Sequence, residues 1–288
     1  MEIRWKVPEN RRTRVIRREG VEYLEFSPLK ETEAVLHGFT TRLGGVSRGV
    51  CSSMNLSFTR GDRQEDVREN YRRIARAVGF SVESIVCSDQ THTTNVRRVG
   101  RNDCGSGIEK PRSYQDVDGL ITDESGVTLA TFYADCVPLY LVDPVRRAIG
   151  LSHSGWRGTV GKIGKVTVEV MEREFGCRPE NILTVIGPSI CMDCYEVSGD
   201  VAGEFLQAYP EALHDRLLRK KSGGKYQLDL WEACRANFLE AGILPEHITM
   251  PELCTCCNPS YLFSHRASGG KRGNLAAFLA LKDRENPQ

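Results

Sequence analysis

The chain has 288 residues, 40% hydrophobic and 27% charged, ordinary proportions for a globular protein with a substantial buried core. Its 39 basic and 38 acidic side chains nearly cancel, which argues against nucleic acid or an anionic membrane as a main partner. The opening MEIRWKVPENRRTRV has no apolar signal core, and no apolar run approaches the roughly 20 residues of a membrane span, so a cytoplasmic protein is expected. In that reducing setting its 11 cysteines read as buried, reactive or metal-bound thiols rather than staples.

Arg11, Arg12, Arg14, Arg17 and Arg18 make the start of the chain locally basic, which reads as a solvated edge or hairpin. AVLHGFTT (34–41) reads as a strand, and RLGGVSRGVCSS after it as a loop whose glycines let backbone N–H groups approach a ligand. Val67, Tyr71, Ile74 and Val78, spaced 4, 3 and 4 apart, form one helical face that Gly79 ends. SIVCSDQTHTTNVRRV (84–99) predicts two short strands around a polar bend carrying His92. GLIT and VTLATFY are strands, followed by ADCVPLYLVDPVRRAIGLSHSGW (134–156). This stretch turns at Asp143-Pro144 and has Cys136 near one strand end and His153 near the other. A helix is expected over 159–175 with Gly176 as its stop, then a buried strand in ILTVIGP. Asp229, with Glu232 three residues on, predicts a capping-box start to a helix that ends at Gly242. Strands and helices mixed without a strict βαβ rhythm, and no linker, predict a layered α/β or α+β fold. Its expected form is a mixed β-sheet with flanking helices in a single domain over 1–288.

Cys136 and His153 have two readings: core packing, or a shared site as metal ligands or as nucleophile and base. HSGWRG is a glycine-rich strand-to-helix junction, a place where function concentrates. His92 alone reads as an exposed loop histidine. With the other two it makes a His-Cys-His set, and three ligands with a fourth position open is the arrangement of a catalytic zinc. The spacing of these three is no metal signature in itself. CMDC (Cys191, Cys194) and CTCC (Cys254, Cys256, Cys257) invite a zinc ribbon, but buried or loop thiols are the simpler expectation, because only Cys254 with Cys257 completes a second C-x2-C. DVDG (116–119) could be a metal or hydroxyl site, but a turn before a strand is the simpler reading. Arg266, Lys271 and Arg272 around Gly269-Gly270, and Arg42 before Gly44-Gly45, are phosphate-holding candidates that fit neither a P-loop nor a dinucleotide fingerprint.

Several stretches, in order across about residues 37–280, carry a resemblance: HGFTTRLGGVSRG, VRENYRRI, QTHTTNV, DVDGLIT, ADCVPLYLVDP, SHSGWRGTV, IGPSICMDCYEV and CTCCNPSYLFSHRASGGKRGNLAAF. The chain resembles the laccase-domain, or polyphenol-oxidase-like, family, also called YfiH-like or peptidoglycan-editing factor. That resemblance implies a layered single-domain fold related to cysteine hydrolases of the bacterial toxin-deamidase (CNF) type. It implies a zinc site, or a copper site, formed by His92, Cys136 and His153. It also implies a purine nucleoside phosphorylase with adenosine deaminase activity, whose partners are small nucleosides and phosphate. For deamination the metal would activate water for attack at purine C6, with Asp135 or Asp118 moving protons. For phosphorolysis Arg42, His37 and Arg266 would contribute to holding an anion beside C1′ of the ribose and to helping the purine depart. One departure is GPSICMDCYE, where adjacent cysteines before Tyr-Glu are the family expectation.

Three other readings follow from the same residues. A copper polyphenol oxidase is poorly served by 6 histidines, since multicopper centres need about ten. A metal-free cysteine hydrolase or amidase would use Cys136 as nucleophile and His153 as base on peptidoglycan precursors. A non-catalytic binding module would merely bury its thiols.

Overall fold

The structure, a computed structural model, describes residues 2–7, 9 and 11–283. Period-2 alternation along the strands sorts their side chains into layers. In Leu275–Leu281, Leu275, Ala277, Leu279 and Leu281 face one core, while Ala276 and Phe278 face another. This strand lies inside a six-stranded sheet of order Thr13–Arg18, Val21–Phe26, Val35–Thr40, Leu275–Leu281, Thr128–Tyr133, Ile85–Cys87. A second six-stranded sheet has the order Ile248–Thr249, Leu183–Ile186, Val137–Asp143, Ala148–Ser154, Gly119–Thr122, Val96–Arg98. In the second sheet Val96–Arg98 and Ile248–Thr249 pair parallel to their neighbours, and the rest antiparallel, so the sheet is mixed as expected.

The two sheets pack face to face through Leu24, Phe39, Leu129 and Leu279 from the first and Leu120, Tyr140, Ile149 and Leu151 from the second. The Tyr140 hydroxyl crosses this core to donate to the Gly38 carbonyl at 3.1 Å. Helices cover both outer faces. Gln64–Val78 lays Val67, Tyr71, Ile74 and Val78 on the first sheet and stops at Gly79, whose φ of 103° only glycine takes easily. Ile163–Phe175 and Leu230–Glu240 cover the second sheet through Ile163, Val168, Met171, Ala233 and Phe238. A small sheet of Glu196–Val197, Tyr226–Leu228 and Leu218–Lys220 lies beyond them.

The basic opening is a hairpin, Thr13–Arg18 on Val21–Phe26, turned by Glu19 (φ 53°) and Gly20 (φ 74°). Asp229 caps its helix by accepting from the Trp231 and Glu232 N–H groups. Only half of the expected box forms, since Glu232 pairs with Arg216 and Arg235 instead.

The helix expected over 159–175 is two helices, Trp156–Val160 and Ile163–Phe175, broken at Gly161 and at Lys162 in the left-handed region. The cause is a close approach. A Cβ at Gly161 would meet Thr94 Cγ2 at 2.6 Å, and one at Gly158 would meet the Thr93 carbonyl at 3.3 Å. The glycines that weaken this helix let the bend carrying His92 rest on it. Among the described residues no helix is long and apolar enough to cross a membrane.

Candidate metal centre

The antiparallel register of Val137–Asp143 and Ala148–Ser154 sets Val137 opposite Ser154 and Pro138 opposite His153. Cys136, one residue before the first strand, therefore meets His153 at the end of the second. The turn between them is held by Asp143, whose Oδ1 accepts from the Val145 and Arg146 N–H groups. His92 comes from the bend on top, with φ 69°. Gln90 fastens that bend to the first sheet: its Oε1 accepts from Phe132 N–H at 2.7 Å and its Nε2 donates to Phe132 O at 2.8 Å.

The ligand atoms of His92, Cys136 and His153 all lie within 4.8 Å of one another. Cys136 Sγ is 3.9 Å from His92 Nε2, and the two imidazoles meet edge-on at 4.9 Å between centroids. His153 is buried, Cys136 half-buried and His92 exposed. Gly155 permits this convergence, because a Cβ there would stand 2.5 Å from His92 Cδ2 and 3.3 Å from Cys136 Sγ.

Asp118 organises the group from behind. Its Oδ1 sits 2.7 Å from His153 Nδ1 and accepts from His92 N–H, while its Oδ2 accepts from the N–H groups of Thr91 and Thr93 and the Thr93 hydroxyl. With Nδ1 engaged, Nε2 is the His153 atom left to bind a metal, the carboxylate–histidine arrangement common behind zinc ligands. Two imidazoles and one thiolate suit zinc. The local expectation of a turn at DVDG missed this role; the buried Asp118 is a member of the site.

Burial opposes charge on these groups, and their neighbours outweigh it. His153, by charge and hydrogen bond, and then His92 bring the Cys136 thiol down to about 6. Cys136 and Asp118 likewise bring His153 up to about 9. Asp118 stays below the ordinary carboxylate value against its burial, held by His153 and the Thr93 and Thr91 amides. Without metal, the pair is thus thiolate and imidazolium between about pH 6 and 9. Zinc uptake near neutral pH should release about one proton, the one on His153. Calorimetric titration in buffers of different ionisation enthalpy measures the count, and no release at neutral pH would rule the ion pair out.

The three residues sit in a cavity of about 380 Å³ lined also by Phe58, Arg60, Tyr71, Phe132, Tyr133 and Arg272. Of the basic residues around Gly269-Gly270, Arg272 reaches this cavity. Arg266 does not: its guanidinium donates to the Cys194 and Glu196 carbonyls. Arg42 is likewise spent on the carbonyls of Ser52 and Pro259, and its glycine loop is tied internally, Val46 N–H to Asn70 Oδ1. His37 lies between the sheets, where its Nε2 accepts from Phe26 N–H at 2.8 Å and burial, then Lys30, pushes its pKa down to about 3. Asp135 is held by the Thr255 hydroxyl and the Arg266 N–H. The four cysteines 191, 194, 254 and 257, expected as separate thiols, also converge.

Residues 36–282 match the family model described as multi-copper polyphenol oxidoreductase laccase. Purine nucleoside phosphorylase YlmD of Geobacillus stearothermophilus is 38% identical over 247 residues, covering 85% of this chain and 90% of its own length. Adenosine deaminase RL5, from an unknown prokaryotic organism, is 34% identical over 255 residues, covering 88% and 95%. A crystal structure of the Bacillus licheniformis hypothetical protein YfiH superposes with TM-score 0.86 at 33% identity, over 93% of this chain and 99% of that one. On this agreement of sequence and fold, the chain belongs to the laccase-like family of YfiH and YlmD.

Proposed function

We propose that the protein is a cytoplasmic, zinc-dependent purine nucleoside enzyme that phosphorolyses adenosine- and inosine-type nucleosides to base and ribose 1-phosphate and deaminates adenosine. The observation that carries this reading is one cavity holding the His-Cys-His group, aromatic faces and an under-satisfied arginine. Relatives named purine nucleoside phosphorylase and adenosine deaminase support the substrate class.

His92, Cys136 and His153 would hold the zinc, which supplies Lewis acidity beside the bound nucleoside. Phe58 and Phe132 offer apolar faces to the purine. Arg272 is the anion-binding candidate. Its Nε is buried with no hydrogen-bond partner, and burial, with the charge of Arg60 next in effect, pulls its pKa below the ordinary arginine value. Arginine stays protonated, so two guanidinium groups held together with unused donors are a preformed demand for an anion. Phosphate meets it with paired oxygens. Neither Asp118 nor Asp135 has a free oxygen in this arrangement, so both read as positioning groups.

Product analysis with adenosine tests the reading. Adenine and ribose 1-phosphate should form only with phosphate, and inosine without it. Arg272→Ala should raise the phosphate KM roughly 10- to 100-fold, the worth of a charge-assisted hydrogen bond, while sparing deamination. A zinc-loaded protein that makes neither product sinks the proposal.

The thiolate–imidazolium pair favours one second reading, a metal-free hydrolase or amidase of peptidoglycan precursors with Cys136 as nucleophile and His153 as base. A covalent adduct at Cys136 with such a precursor would decide for it. A polyphenol oxidase finds less support, since among the described residues the only histidine-containing cluster has two histidines.

A further inference from the structure

We infer that Cys191, Cys194, Cys254 and Cys257 form a second metal site, a closed tetrathiolate zinc centre that is structural and separate from the nucleoside cavity. Their four sulfurs lie within 4.8 Å of one another, and Cys194 and Cys257 are 3.5 Å apart. Four thiolates at about 2.3 Å around one zinc stand about 3.8 Å from each other, so the cluster needs only small adjustment. A disulfide needs about 2.05 Å, and all four cysteines are free.

The backbone is built for sulfur ligands. Each pair is a C-x2-C on a tight turn: Met192–Cys194 is one turn of 3-10 helix, with Cys194 N–H donating to Cys191 O at 3.0 Å. Cys254 Sγ accepts two backbone N–H groups, from Cys191 at 3.3 Å and Cys257 at 3.4 Å. A neutral thiol is a weak acceptor and does not warrant two amides; a metal-bound thiolate does. Cys191 and Cys254 are buried and the other two half-buried, which leaves no open coordination position for a substrate. Four soft donors without an imidazole select zinc or iron rather than a hard cation.

The site would join two loops that both grip the residue before the catalytic thiol. Ile190 N–H donates to Asp135 O at 3.0 Å, and the Thr255 hydroxyl donates to Asp135 Oδ1 at 2.6 Å. Thr255 N–H also donates to Ser189 O, which sets the two loops in register. Asp135 has φ 92°, a conformation a non-glycine residue keeps only when its surroundings hold it. Clamping those loops therefore fixes the backbone from which Cys136 projects.

Elemental analysis of the full chain, purified under reducing conditions without chelator, should find two zinc ions. Cys136→Ala should lose one and Cys191→Ser/Cys254→Ser the other. Should the double variant fail to fold, cobalt loading of Cys136→Ala settles the matter, because the remaining cobalt must then show the intense sulfur-to-metal absorption of four thiolates. A single zinc that Cys136→Ala removes entirely overturns the inference. So does iron in the second position, or a Cys194–Cys257 disulfide in protein isolated without oxidant. These readouts concern metal and not turnover, so they stand or fall separately from the nucleoside proposal.

Discussion

Cys136→Ala should leave a folded protein that has lost the metal proposed for its His-Cys-His group and the proposed nucleoside turnover. The side chain is small, half-buried and at a strand end, so truncation removes little packing, about 1 kcal/mol. Its chemistry is not replaceable. The thiolate is the one anionic donor of the set, and the imidazoles of His92 and His153 meet around it. Without it two neutral imidazoles remain, a poor zinc site, and activity should fall by at least about a thousand-fold. Circular dichroism, elemental analysis and product assays on one preparation check all three parts. Retention of both metals and full activity would remove the shared-site argument altogether.

Asp118→Asn should have the second largest effect, although the residue does not line the cavity. The carboxylate accepts from Thr91, His92 and Thr93 N–H groups and from the Thr93 hydroxyl, and it faces His153 Nδ1. An amide of the same shape points its NH2 at groups that are themselves donors. The buried clash and lost acceptor should cost about 1–3 kcal/mol of stability, read by denaturant unfolding. Metal affinity should fall roughly 10- to 100-fold, as for other carboxylates behind zinc-bound histidines. The apparent pKa of His153 in metal-free protein should also fall, because Asp118 is among the groups that raise it. A variant with unchanged metal affinity and His153 titration would reduce Asp118 to a turn former.

What could be read from the residues alone was whatever local periodicity controls. The face of Val67, Tyr71, Ile74 and Val78 is set by helix geometry and its stop by one glycine, and both appear as expected. The convergence of His92, Cys136 and His153 was legible because a thiol and two imidazoles stood at strand ends and in a polar bend. The pairing of Asp118 with His153 was not, since it depends on which strands become neighbours: Gly119 opposite Ser152 puts Asp118 beside His153. The same holds for the cysteine pairs, brought together by a bridge between Ser189 and Cys254 that no local pattern encodes. Arg42 and Arg266 looked like anion binders by composition, but their guanidinium groups are consumed by backbone carbonyls, and the neighbouring Arg272 faces the cavity. The broken helix after Trp156 has a tertiary cause as well, the bend of Thr93 and Thr94 pressed on its glycines.

Gly155 is a filter on descent. Even a Cβ there would stand 2.5 Å from His92 Cδ2 and 3.3 Å from Cys136 Sγ, and these two side chains are its nearest neighbours. A gene duplicate that gained even an alanine at this position could keep its fold and all three ligand residues and still lose the ability to bring them together. In any sequence that keeps the three residues, a side chain at the position after His-Ser would therefore predict a His-Cys-His group that does not close, which an inventory of the three alone would miss.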